Sequence, residues 1–136
     1  MAEEQLVIFQ LNKQNYAISV NETKEIIRMV EITKVPNTEH FIEGIINLRG
    51  DVTPVINLNR RLGLYETEYD QDTRIIVVER NKERVGMIVD AVNEVGRCGE
   101  EEVESADITG EEIEYLRGVI KKGDDLWLLL DLKKVL

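Results

Sequence analysis

The sequence predicts a mainly β protein built from two small barrel-like subdomains with a few short helices, and three observations carry that prediction. First, its 136 residues include 15 Val and 15 Ile against only 4 Ala. Side chains branched at Cβ lose rotamer freedom in a helix and pack well on a pleated surface. Second, the apolar runs are short and are divided by the Asn, Gly, Asp and Pro residues that tight turns require. Third, the two halves of the chain echo one another. A chain of this length buries roughly two-thirds of its unfolded surface, enough for one domain with a real core.

The elements follow in order. Leu6-Val7-Ile8-Phe9, a polar turn at Asn12-Lys13-Gln14-Asn15, and Tyr16-Ala17-Ile18-Ser19-Val20 read as a hairpin. Ile26-Ile27 and Met29-Val30 follow, Pro36 breaks the chain soon after, and Asn37 or Thr38 caps one helical turn through His40-Phe41-Ile42. A second hairpin runs from Ile45-Ile46-Asn47-Leu48 through Arg49-Gly50-Asp51 to Val52-Thr53-Pro54-Val55-Ile56, with Gly-Asp supplying positive φ at the turn. Pro54 has no N–H to donate and belongs on an edge or at a bulge. The hexamers from Asn57 to Leu62 and from Asp131 to Leu136 read as short helices, each with a polar first residue and basic residues late in the turn. The acidic stretch from Gly99 to Glu114 reads as a solvated loop with a short helix from Thr109, capped ahead of Glu112.

Two offsets describe the internal echo. Residues 7–26 lie over residues 76–95 at an offset of 69, pairing Asn12-Lys13 with Asn81-Lys82 and Glu25 with Glu94. Leu48-Arg49-Gly50 recurs as Leu116-Arg117-Gly118 at an offset of 68. A duplicated β unit divides the chain into residues 1–68 and 69–136. Curling each half into a barrel removes exposed edges. Ile26-Ile27, Ile45-Ile46 and Ile75-Ile76-Val77-Val78 place neighbouring aliphatics on opposite faces. One member of each pair faces its own barrel, and the other faces the second barrel or a protein partner.

Charge restricts the partners. With 27 acidic and 17 basic residues the formal net charge is −10, which repels nucleic acid and anionic lipid. A nucleic-acid-binding barrel, the alternative reading of a small β fold, also wants aromatics interleaved with bases, and aromatic content is 5%. The single cysteine, Cys98, suits a reducing compartment. No basic-then-apolar leader and no apolar run of about 18 residues occurs, so the expectation is a soluble, cytoplasmic protein.

Catalytic groups are scarce. His40 is the only histidine, and it reads as an exposed turn residue. Cys98 lies beside Arg97 but between glycines at a strand end, which suits an inert thiol. Ser19 and Ser105 lack a G-x-S-x-G context, and no phosphate-cradling glycine loop is present. Asp51 and Asp90 have no evident reason to pair, and the acidic run lacks calcium-loop register. No enzyme activity, metal or cofactor is expected.

From Ile45-Ile46-Asn47-Leu48-Arg49-Gly50 through Val52, Pro54-Val55-Ile56 and Leu58, the chain resembles the CheW-domain proteins, coupling adaptors of bacterial chemotaxis. The resemblance continues in Ile32-Thr33-Lys34-Val35-Pro36, Phe41-Ile42-Glu43-Gly44, Val85-Gly86-Met87-Ile88-Val89-Asp90 and Leu129-Leu130-Asp131-Leu132. It implies one domain over residues 1–136, made of two intertwined five-stranded SH3-like barrels with strands exchanged between them. It implies a scaffold that couples the cytoplasmic tips of methyl-accepting chemoreceptors to the regulatory domain of the histidine kinase CheA. Such a protein is cytoplasmic and recruited to membrane-associated arrays without inserting into the membrane, with weak self-association left open. The matching positions place Thr23, Glu25, Gly44, Arg49, Gly86, Val92 and Val95 in or near a receptor-binding groove between the subdomains. Arg49 leads that set, because its planar fork of donors suits carboxylates and helix carbonyls. Ile27, Met29, Val30 and Ile32 are the expected kinase-facing patch. Thr23 departs from a usual aliphatic, Glu39 from a common proline, and Asn57 from a usual aspartate.

Overall fold

A computed structural model describes residues 3–105 and 114–136. Its strands are β1 (Glu3–Leu11), β2 (Gln14–Ser19), β3 (Thr23–Arg28), β4 (Ile42–Leu48), β5 (Asp51–Asn57), β6 (Arg74–Arg80), β7 (Glu83–Val89), β8 (Ala91–Gly99), β9 (Val103–Glu104), β10 (Leu116–Lys122) and β11 (Asp125–Leu130). Short helices α1 (Leu58–Arg61) and α2 (Leu132–Val135) follow β5 and β11. The fold is mainly β, as the composition predicts. The strands form two sheets, in the orders β8-β1-β2-β11-β10-β9 and β3-β6-β7-β5-β4. Each sheet draws strands from both sides of residue 68, because β11 joins β2 in parallel and β5 joins β7 in parallel.

Local sequence explains the turns. Asn12 and Lys13 have φ of 51° and 66°, and Asn81 and Lys82 have 54° and 66°, so both Asn-Lys pairs make two-residue hairpin loops with positive φ throughout. In the β4–β5 hairpin the positive values fall on Arg49 (53°) and Gly50 (89°), while Asp51 already begins β5. The expectation of Gly-Asp was therefore one residue late. Asn47 supports this turn by accepting the Gly50 N–H at 2.9 Å. Asn57 and Asp131 cap α1 and α2, accepting the N–H groups of Arg60 and Lys133. Asn thus serves at position 57 as an aspartate would.

Three local expectations are corrected. No helix forms around His40: the segment is an irregular turn with Asn37 at φ 61°, and β4 starts at Ile42. Pro54 is not on an edge strand, since β5 lies between β7 and β4. It costs no ladder bond there. Ile45, its partner across β4, gives both backbone groups to Thr33 at 2.9 Å, and pairing with β7 begins only at Val55. The acidic stretch is not wholly loop, because Glu100–Glu102 form a 3-10 turn and β9 pairs with β10. The helix expected from Thr109 lies outside the described residues.

The registers also reassign the echo. The bulge at Ile42/Gly44 in β4 matches the bulge at Leu116/Gly118 in β10. Asn57 N–H bonds Phe41 O at 2.8 Å, as Asp131 N–H bonds Tyr115 O at 2.9 Å. Phe41–Ile46 therefore corresponds to Tyr115–Ile120, an offset of 74, whereas Leu48-Arg49-Gly50 and Leu116-Arg117-Gly118 occupy different places, a hairpin tip and a strand start. Across the first hairpins the offset stays 69: Glu25 opposes Val77 just after a bulge, as Glu94 opposes Ile8 beside one. The extra residues of the second half fall between β8 and β10.

Strand alternation distributes the aliphatics between cores. Ile75 and Val77 join Ile46, Val55 and Ile88 inside the five-stranded sheet. Ile76 and Val78 join Val7, Phe9, Ile18, Met87, Leu130 and Leu132 between the sheets. Leu6, Ile8, Ile120, Trp127 and Leu129 fill the six-stranded sheet. All four residues from Ile75 to Val78 are fully buried, each contributing about 2 kcal/mol through its apolar surface. Much of the apolar excess thus packs sheet against sheet. Ile26, whose partner Ile27 packs inward, stays 41% exposed, and Val52 is 71% exposed.

Candidate functional site

Two links span the outer strands of the five-stranded sheet, one through the segment after β3 and one through the β4–β5 tip. The chain leaving β3 returns at Thr33 to bridge Ile45 of β4, the opposite edge. At the β4–β5 tip, Arg49 Nη1 donates to Glu25 Oε2 on β3. The Arg49 side chain remains 72% exposed, whereas that of Glu25 is only 19% exposed. The pair is a carboxylate held in the sheet, with a guanidinium presented outward from it.

Glycine shapes the floor beneath. Gly44, Val55, Gly86, Val77 and Glu25 oppose one another in sequence across β4, β5, β7, β6 and β3. Three of the seven residues expected in the groove therefore share one row of the sheet. A Cβ on Gly44 (φ 153°) would meet Thr33 O at 2.2 Å, and one on Gly86 would meet Ile75 Cγ2 at 2.8 Å. Both positions supply closeness and no contact surface. Thr23 sits on β3 opposite Val78, its hydroxyl donating to Ser19 O at 3.0 Å. Val92 and Val95 are on β8 of the other sheet. Val92 packs on the core between the sheets, and Val95 is 59% exposed. Thr23 and Val92 occupy equivalent places in their two edge strands.

Of the residues expected to face the kinase, Ile27, Met29 and Ile32 pack against the core of the five-stranded sheet, and Val30 is 46% exposed. A cleft of about 600 Å³ opens elsewhere, lined by Phe41, Ile42, Ile56, Arg61, Val85 and Val135 among others, and none of the seven residues expected in the groove lines it.

Asp90 and Glu43 are held by structural partners. Asp90 accepts from Asn12 N–H (2.8 Å), Asn59 Nδ2 (2.9 Å) and Thr67 Oγ1 (2.5 Å), tying the β1–β2 turn to α1 and the following loop. Cys98 is buried, and burial followed by Glu4 and Glu102 pushes its thiol up, opposite to activation. Glu43 accepts from Arg60 Nη2 (2.6 Å) and Tyr69 Oη (2.7 Å). Burial and then the Glu43 bond raise Tyr69 to about 12. His40 is exposed, its carbonyl accepting from Arg60 at 2.7 Å. Among the described residues, no helix is long and apolar enough to cross a membrane.

Sequence reading missed Gly118, where an added Cβ would meet Glu104 O at 2.7 Å as one on Gly44 meets Thr33 O. The signal was present in Phe41-Ile42-Glu43-Gly44-Ile45-Ile46 against Tyr115-Leu116-Arg117-Gly118-Val119-Ile120, a pattern of aromatic, aliphatic, charged, glycine and two aliphatics.

Two sheets that each take strands from both halves of the chain, with a guanidinium turned outward from one hairpin tip, define a small mainly β domain with an exposed polar anchor. The CheW-like domain model matches residues 5–136, and the chain belongs to that family. It is 47% identical over 103 residues to a chemotaxis protein CheW of Bacillus subtilis, a match covering 76% of this chain and 66% of that one. It is 33% identical to a chemotaxis protein CheW of Thermotoga maritima, covering 100% of this chain and 89% of the relative. A crystal structure of the scaffolding protein TtCheW from Thermoanaerobacter tengcongensis superposes with a TM-score of 0.87 at 36% identity, covering 97% of this chain and 86% of that one. The chain is a chemotaxis adaptor of the scaffold type.

Proposed function

We propose that this chain, acting as one domain over residues 1–136 with pseudo-repeat subdomains 1–68 and 69–136, couples chemoreceptor cytoplasmic tips to the regulatory domain of the histidine kinase CheA. It works in the cytoplasm at membrane-associated arrays and performs no catalysis. The receptor-facing surface is Thr23, Glu25, Gly44, Arg49, Gly86, Val92 and Val95. In it Arg49 and the exposed Val95 make contact, while Gly44 and Gly86 set shape. Ile27 at the end of β3 and Met29, Val30 and Ile32 in the segment after it form the kinase-facing patch, with Val30 its most exposed member. The observation that carries the reading is the Arg49–Glu25 pair: a carboxylate in the sheet fixes the direction of a guanidinium whose fork is mostly in solvent. A fixed fork loses less entropy on binding a carboxylate or a helix end than a free one does.

The test is co-sedimentation of the chain with CheA and receptor-containing membranes, read together with kinase activity. The native chain brings CheA to the membranes and raises its activity. Arg49→Glu lowers receptor-dependent recruitment about tenfold or more while binding to CheA alone persists. Native-like recruitment by a folded Arg49→Glu variant removes the site, and absence of any ternary assembly removes the function.

A further inference from the structure

One residue breaks the repeat. Phe41 and Tyr115 are equivalent, each standing just before its strand and each accepting its half's helix-capping N–H. Arg61 ends α1, and its counterpart in α2 is Val135. The Arg61 side chain crosses to the other half. Its guanidinium carbon lies 4.9 Å from the centroid of the Phe41 ring and 4.8 Å from that of Tyr115. Nε donates to Val135 O at 2.7 Å, Nη2 to Lys134 O at 3.2 Å, and Nη1 to Tyr115 Oη at 2.6 Å.

Those carbonyls close the last turn of α2, where a helix has no donors of its own to offer them. A four-residue helix has little stability by itself. Leu132 and Val135 anchor α2 through the core between the sheets, and Arg61 supplies the polar half of its attachment. The partners named here are rings, carbonyls and a hydroxyl, all uncharged. What they demand is therefore a flat, many-donor cation and not charge alone.

We propose that Arg61 is a positioning residue that locks the two halves of the domain together: it joins Phe41, at the start of β4, to Tyr115, at the start of β10, and holds α2 closed over the end of the core. This goes beyond the coupling function and holds whatever the chain binds. Phe41, Arg61 and Val135 all line the cleft of about 600 Å³ described above.

Amide hydrogen exchange on the full chain tests it with Arg61→Met, which keeps an apolar stem, and Arg61→Lys, which keeps the charge. Exchange is expected to rise about tenfold or more at residues 131–136 and 115–119 in both variants, with the β1–β2 and β6–β7 hairpins unchanged. A second measurement asks whether the rings communicate through Arg61. Phe41→Leu and Tyr115→Leu should be non-additive in the unfolding equilibrium constant by about threefold or more when Arg61 is present, and additive in the Arg61→Met background. A uniform rise in exchange over both sheets, full rescue by lysine, or additivity in the native background overturns the proposal. If Arg61→Met does not fold, the native-background cycle alone decides.

Discussion

Arg49 grips Glu25 across the mouth of the five-stranded sheet, so a residue at the tip of the β4–β5 hairpin is tied to β3, the strand at the sheet's far edge. The same arginine holds positive φ at 53°, as a two-residue hairpin turn demands. The two roles separate by substitution. Arg49→Gly suits the turn and removes the fork, so the urea midpoint stays level or rises while receptor coupling falls. Arg49→Val keeps neither, because a β-branched residue resists positive φ, so the midpoint drops as well. Equal midpoints for the two variants count against the turn assignment.

Gly44→Ala places a methyl 2.2 Å from a carbonyl that cannot easily retreat, since Thr33 is fixed by two hydrogen bonds of 2.9 Å to Ile45. A loss of about 3 kcal/mol is expected, lowering Tm by about 10 °C. Gly123→Ala is the control, having positive φ (61°) but nothing within 4 Å, and it costs about 1 kcal/mol. Calorimetry on the pair distinguishes crowding from backbone preference.

Tyr69 titrates late, at about 12, first because it is partly buried and then because its hydroxyl donates to Glu43. A raised acid favours the neutral form in the folded state. Its contribution is complete below the ordinary phenol value of 10.0 and is lost as pH climbs through 12. Ultraviolet titration should show a tyrosinate step near that value, absent in Tyr69→Phe. The same variant loses about 1 kcal/mol at neutral pH by leaving Glu43 and Asn57 without their phenol partner.

Gly96 carries the ring of the only tryptophan, Trp127, whose Cη2 lies 2.6 Å from where a Cβ would stand. Gly96→Ala must push the indole out of its 7% exposed site, at about 2 kcal/mol. Intrinsic fluorescence should shift to the red in the folded variant. An unshifted spectrum with unchanged stability means that the ring adapts in place.

Features governed by neighbours in the chain were legible. Asn12-Lys13 and Asn81-Lys82 announce equivalent turns, and Asn57 and Asp131 announce helix starts, because each bonds or bends only a few residues away. The β-branched runs of β6 announced buried strand, and all four of those aliphatics are buried. The repeat was legible across the first hairpins but misread at Leu48-Arg49-Gly50. Three identical letters outweighed the looser correspondence of Phe41-Ile42-Glu43-Gly44 with Tyr115-Leu116-Arg117-Gly118. Pro54 was misjudged because the cost of a missing donor depends on which neighbour the ladder reaches, and that neighbour lies far along the chain.

By itself, then, the order of residues determined the β class, the two Asn-Lys turns, the caps at Asn57 and Asp131 and, through an end-to-end resemblance, the family. Only the tertiary structure decided that β5 enters beside β7 and β11 beside β2, that Glu25, Gly86 and Gly44 fall in one row, and that Arg61 reaches Tyr115 and the end of α2. The reason is range. Turn and cap chemistry is satisfied within a few residues, whereas the partner of a guanidinium depends on which distant strands share a sheet, and the pairing of whole apolar faces settles that.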